Sequence, residues 1–179
     1  MHAGEYKMRE REESKRRQDH ARRARPAGKS SRRRSRELAL QGLYQWQLAG
    51  KDATIIAAEL AEAEDFGKSD VGYFRTLLNG AIDNAPKLEA EMKPFLDRAV
   101  DALSPIERGI LLLGGYELMR ELEVPYRVVI NEAVELAKVY GGTDGHKFVN
   151  GVLDKLAGRL REIEVRAEGR GRGGEGERT

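Results

Sequence analysis

The side chains best suited to chemistry in this chain are arginines. Arg32, Arg33, Arg34 and Arg36 place four guanidinium groups within five residues. Such planar forks of donors suit phosphate oxygens and base edges. Catalytic residue types are sparse by comparison. There is no cysteine, which excludes disulfides, thiolate metal sites and cysteine nucleophiles. The histidines are His2, His20 and His146, and none has a second histidine at metal-ligand spacing. His146 reads as a surface or interface side chain. The segment Gly141-Gly142-Thr143-Asp144-Gly145-His146-Lys147 invites a phosphate-loop reading and fails it. No glycine directly precedes Lys147, no Ser or Thr follows it, and no strand leads in. It retains only the capacity of a helix N-terminus to hold an isolated phosphate, assisted by Lys147. The many glutamates read as solvated helix faces. The residues offer no argument for an enzyme, and no cofactor or metal is expected.

Charge is strongly segregated along the chain. Residues 1–36 carry 14 Lys/Arg and 5 Asp/Glu, leaving 18 basic against 25 acidic side chains in 37–179. The overall +2 thus joins a basic arm to an acidic body, which suits holding a polyanion at one place and repelling it elsewhere. Residues 1–31 are nearly devoid of apolar side chains and are expected to be a disordered basic arm. Residues 166–179 have Gly/Arg-rich linker composition and are expected to form a disordered tail. The segment 32–165 is long enough for one core. No apolar run is long enough to cross a membrane and no signal-peptide pattern opens the chain, so the expected address is cytoplasmic.

The elements that must position these residues are helical. A first helix is expected from Ser35, a plausible N-cap, to Gly50. It bears one stripe of Ala39, Leu43 and Trp46 and another of Leu40, Tyr44 and Leu48, roughly 120° round the cylinder. The second stripe either joins the core or faces a partner. Further helices are expected over 52–64, from Ser69 or Asp70 with Pro86 closing the loop after it, and over 87–103 with a break at Pro94. Ser104-Pro105-Ile106-Glu107 is a capping box that opens the next helix, in which Gly114 and Gly115 allow close approach of a neighbour. The last two run from Pro125 to Gly141 and from Thr143 or Asp144 through Ile163. The sum is an all-α body of about seven helices.

Stacking on RNA bases needs an exposed aromatic beside positive charge. Phe148 after Lys147, and Tyr126 before Arg127, have that arrangement, and each is equally suited to the core. The basic arm is either an RNA contact or a nonspecific accessory to a helical protein–protein scaffold.

Two long blocks decide more. Val124-Pro125-Tyr126-Arg127-Val128-Val129-Ile130-Asn131-Glu132-Ala133-Val134-Glu135-Leu136-Ala137-Lys138 precedes Gly141-Gly142-Thr143-Asp144-Gly145-His146-Lys147-Phe148-Val149-Asn150-Gly151-Val152-Leu153-Asp154-Lys155. With the arginine run and Ala39-Leu40-Gln41-Gly42-Leu43-Tyr44-Gln45-Trp46, these closely resemble the NusB family of bacterial transcription antitermination factors. The resemblance covers residues 32–164. It implies two helical bundles packed into one domain, with no catalytic activity. It also implies pairing with NusE (ribosomal protein S ten), binding of boxA RNA in nascent transcripts, especially of ribosomal RNA operons, and terminator readthrough alongside RNA polymerase and other Nus factors. By the same resemblance, Arg32, Arg33, Arg34, Arg36, Lys147 and Phe148, with Tyr126 and Arg127, are expected to contact RNA. Tyr44, Leu48, Glu107 and Asp144 are expected to face NusE. Some family members form homodimers through overlapping surface, so a homodimer is also compatible with the resemblance.

Overall fold

The computed structural model describes residues 29–173, which form eight α-helices. These are α1 (Lys29–Ala49), α2 (Ala53–Leu60), α3 (Val71–Asp83), α4 (Ala85–Met92), α5 (Pro105–Arg120), α6 (Tyr126–Tyr140), α7 (Gly145–Leu160) and α8 (Glu162–Gly173). Among the described residues there is no strand, and no helix is long and apolar enough to cross a membrane.

Helix α5 is the hub. Every residue from Gly109 to Leu118 is buried, because α1 and α3 pack on one side and α4, α6 and α7 gather about the others. Two bundles, α1–α3 and α4–α7, therefore share one core. Local chemistry sets the helix starts. Asp52 accepts from the Thr54 N–H at 2.8 Å, Asp70 from Tyr73 at 3.1 Å, and Ser104 from Glu107 at 3.1 Å. Each satisfies a donor that has no intrahelical partner. Pro94 splits its segment as expected: α4 stops at Met92 and short 3-10 turns cover Lys93–Phe95 and Val100–Ala102. Gly114 admits Leu153, whose methyl would stand 2.8 Å from an added Cβ. Gly80 accepts the Tyr116 ring even more closely, a crossing of α3 and α5 that the sequence did not signal.

The chain departs from the sequence expectations at both ends. Helix α1 begins at Lys29, so the arginine run lies on the helix and does not precede it. Ser35 is an interior residue whose hydroxyl lies 3.0 Å from the Ser31 carbonyl and 2.7 Å from the Asp70 carbonyl, and can donate its single proton to either. Most of the expected arm lies outside the described residues. At the other end the helix expected to reach Ile163 stops at Leu160, and α8 carries helical structure through 166–173, where a disordered tail was expected. Residues 174–179 lie outside the described residues.

What holds α8 is Arg161, buried at the α7–α8 joint. Its guanidinium donates to the carbonyls of Glu117 (3.0 Å), Leu118 (2.7 Å), Glu121 (3.0 Å) and Val124 (2.9 Å), and to Glu164 Oε2 (2.8 Å). All five of its N–H donors are thus used. They tie the last turn of α5, at Glu117 and Leu118, and the loop after it, at Glu121 and Val124, to the start of α8.

Candidate nucleic-acid and protein interface

The four arginines of the run do four different things, because successive residues on a helix point about 100° apart. Arg36 turns inward and is 3% exposed. Its Nε lies 3.0 Å from both Glu117 oxygens and its Nη2 lies 2.7 Å from Oε1. The Tyr73 hydroxyl donates to the same carboxylate. Burial alone works to lower the Arg36 pKa, but the hydrogen bonds and charge of Glu117 outweigh it and the group stays cationic. Burial, reinforced by Glu117, pushes the Tyr73 hydroxyl up, so it remains a donor. Arg36 is therefore corrected from an RNA contact to a core ion pair. Withdrawing a buried charge from its partner costs far more than a surface contact returns.

The other three arginines are nearer solvent. Arg33 is exposed and pairs with Glu132 of α6 through two 2.9 Å contacts. Arg34 bridges Glu37 and Asp65, each at 2.8 Å. Arg32 lies 3.9 Å from Asp70, with its guanidinium carbon 4.4 Å from the centre of the Tyr73 ring.

The second α1 stripe divides. Leu40 is buried, whereas Tyr44 is 40% and Leu48 59% exposed. Tyr44 lines a groove of about 220 Å³ with Glu37, Leu40, Gln41, Gln45, Ile106 and Tyr140. Gln47 donates to the Pro105 carbonyl at 2.8 Å and fixes this end of α1 to the start of α5. Glu107, one residue beyond Ile106, packs against the N-terminus of α7: a Cβ added at Gly145 would meet its Oε1 at 3.1 Å. Asp144 precedes that helix with φ of 62° and gives no side-chain cap. Its Oδ1 instead lies 3.1 Å from the Lys147 Nζ. Tyr44, Glu107 and Asp144 are thus gathered at one end of the molecule. Tyr140 lies on this surface, where it and Val139 are exposed. They sit at the last turn of α6, beyond the helices that would cover them.

Lys147 is exposed, and Phe148 beside it is half-buried against the core. The Arg98 guanidinium carbon lies 4.8 Å from the centre of the Phe148 ring. Arg98 escaped the sequence reading because it stands alone in a loop. Tyr126 and Arg127 do not join this group. Tyr126 is 4% exposed and is corrected from a stacking candidate to a core side chain. Its backbone N–H donates to Glu164 Oε1 at 2.9 Å. Arg127 is exposed and paired with Glu168 of α8. Among the described residues no cluster of three His, Asp or Glu side chains is arranged to hold a metal ion.

Comparison with known proteins decides the family. The NusB family model matches residues 33–158. The transcription antitermination protein NusB of Azoarcus sp. (strain BH72) is 60% identical over 142 residues, spanning 79% of this chain and 92% of that protein. The chain belongs to the NusB family. The NusB protein of Nitrosospira multiformis is 62% identical over 133 residues, covering 74% and 84% of the two chains. Among solved structures, T. maritima NusB superposes with a TM-score of 0.66 at 32% identity, over 73% of this chain and 92% of that one. A crystal structure of antitermination factors NusB and NusE in complex with dsRNA matches with a TM-score of 0.64 at 27% identity, covering 73% and 98%. Helix α8 lies beyond the residues that the NusB family model matches.

Proposed function

We propose that this chain is a transcription antitermination factor that binds boxA RNA in nascent transcripts, those of ribosomal RNA operons above all, together with NusE, and promotes readthrough by RNA polymerase. It acts in the cytoplasm as a non-catalytic adaptor. The observation that carries this reading is the NusB family match across residues 33–158. Arg32, Arg33, Arg34, Lys147 and Phe148, with Arg127 as an outlying cation, form the proposed RNA contacts. Tyr44, Leu48, Glu107 and Asp144 form the proposed NusE contacts.

The division of roles follows from chemistry. Phosphate contacts hold RNA in place but carry no sequence information, so the arginines supply affinity. Phe148, held between the core and Arg98, offers one aromatic edge for base recognition. NusE would cover the exposed Tyr44 and Leu48 and bring its own surface to the RNA.

Titration of labelled boxA RNA and a scrambled RNA, each with and without NusE, tests the proposal. The expected result is preference for boxA RNA, strongest with NusE. Replacing Arg32, Arg33 and Arg34 by alanine should flatten the log–log salt dependence by up to roughly 0.7 for each phosphate that an arginine had neutralised. Equal affinity for both RNAs in the presence of NusE would remove the specificity. An unmoved salt slope would instead favour the scaffold reading, to which the internal pairing of Arg33 and Arg34 lends weight.

A further inference from the structure

Helix α8 has two unlike halves. Its base is fixed: Arg161 is buried, and Glu164 accepts from Arg161 at 2.8 Å and from the Tyr126 N–H at 2.9 Å. Among the described residues, one polar contact ties its outer half to another helix. Glu168 pairs with Arg127, and both side chains keep substantial solvent exposure. An exposed guanidinium is a site that accepts the oxygens of a phosphate. Here a carboxylate from the chain itself fills it.

We propose that α8 carries an intramolecular stand-in for RNA phosphate: Glu168 occupies Arg127, and single-stranded RNA that reaches the start of α6 must displace it. This rests on the RNA-binding reading above and adds a residue that sets affinity from outside the matched family region. The exchange is cheap in one direction and selective in the other. Exposed ion pairs contribute little to stability, so the contact yields to a polyanion that engages several cations at once. A lone anion offers no such compensation, and Arg127 stays covered. The hinge is the Arg161–Glu164 base, which keeps its contacts while the turn beyond it lifts. The glycines at 169, 171 and 173 weaken that outer turn.

The test uses the full chain and labelled boxA RNA. Glu168→Gln keeps the side-chain shape and frees Arg127, and should tighten RNA binding about three- to five-fold, with a salt slope steeper by up to roughly 0.7. Glu162→Gln makes the same charge change on the same helix, where Glu162 pairs with Arg166, and should leave affinity within about 1.5-fold of wild type. In an Arg127→Ala background, Glu168→Gln should have no further effect, as a double-mutant cycle requires for coupled groups. RNA should also speed amide hydrogen exchange in 166–170, and NusE alone should not. A gain from Glu162→Gln equal to that from Glu168→Gln overturns the proposal, as does a gain that survives Arg127→Ala. So do an unchanged affinity in Glu168→Gln and an α8 whose exchange ignores RNA. RNA binding without dependence on Glu168 defeats this inference alone, whereas failure of every protein to bind boxA RNA with or without NusE defeats the functional reading with it.

Discussion

Arg36 and Glu117 face each other out of contact with water, 3% and 1% exposed. Removing one leaves the other charged and unpaired in the core, so Arg36→Ala should cost about 3–5 kcal/mol in a urea unfolding experiment. The pair itself adds far less than that relative to well-packed apolar residues. Tyr73 completes the site by donating to the same carboxylate. Glu164 supplies a pH-dependent term. Burial tends to raise its pKa, but the Tyr126 N–H and Arg161 hold the carboxyl below the ordinary glutamate value of 4.5. A depressed folded pKa means that the unfolded chain takes up its proton first as pH falls. The stabilisation is therefore complete above 4.5 and lost progressively below it, as pH passes through the lower folded value. Glu164→Gln should flatten the dependence of the urea midpoint on pH in that acid window and leave its shape near neutrality unchanged.

At the scale of elements, the crossing of α3 and α5 turns on Gly80. The Tyr116 ring lies where a Cβ would stand, and Tyr116 is itself buried within the core cluster. Gly80→Ala gains helix propensity but must push the ring or the helices apart. Overpacking of this kind costs about 1–3 kcal/mol, and for a chain of this size the thermal midpoint should fall by roughly 3–10 °C. An unchanged midpoint would show that the ring has room to swing aside. Helix α8 illustrates the opposite case, in which weak propensity is overcome. Its outer half is rich in glycine, yet Arg161 and Glu164 fix its first turn, and a helix once nucleated extends at lower cost.

At the scale of the molecule, α1 divides its labour between ends. Tyr44→Asp places a charge on the exposed surface and leaves the core untouched. It should abolish NusE capture in a pull-down while shifting stability by less than about 0.5 kcal/mol; a large loss of stability would mark Tyr44 as a packing residue instead. Much of this plan was legible in the chain. Capping at Ser104 and the break at Pro94 followed from local chemistry, and the exposed Tyr44 and Leu48 from helical spacing combined with the family resemblance. What was not legible depends on long-range partners. Glu117 lies 81 positions from Arg36, so no local pattern distinguishes that arginine from its neighbours. The docking of α8 likewise depends on carbonyls some 40 residues upstream, and sequence composition does not report backbone acceptors.

One continuous helix carries Arg33 and Tyr44. Eleven residues separate them, three turns and a remainder of only about 20°, so both look out along the same side. The α1–α6 groove passes from Arg33 and Glu37 to Tyr44, with Tyr140 opposite. Helix α1 is thereby a phase gauge as well as a spacer. Adding one residue between Arg36 and Tyr44 would lengthen it by only about 1.5 Å but turn one end against the other by about 100°. The arginine and the tyrosine would then point to different neighbours, although every side chain of both surfaces was still present.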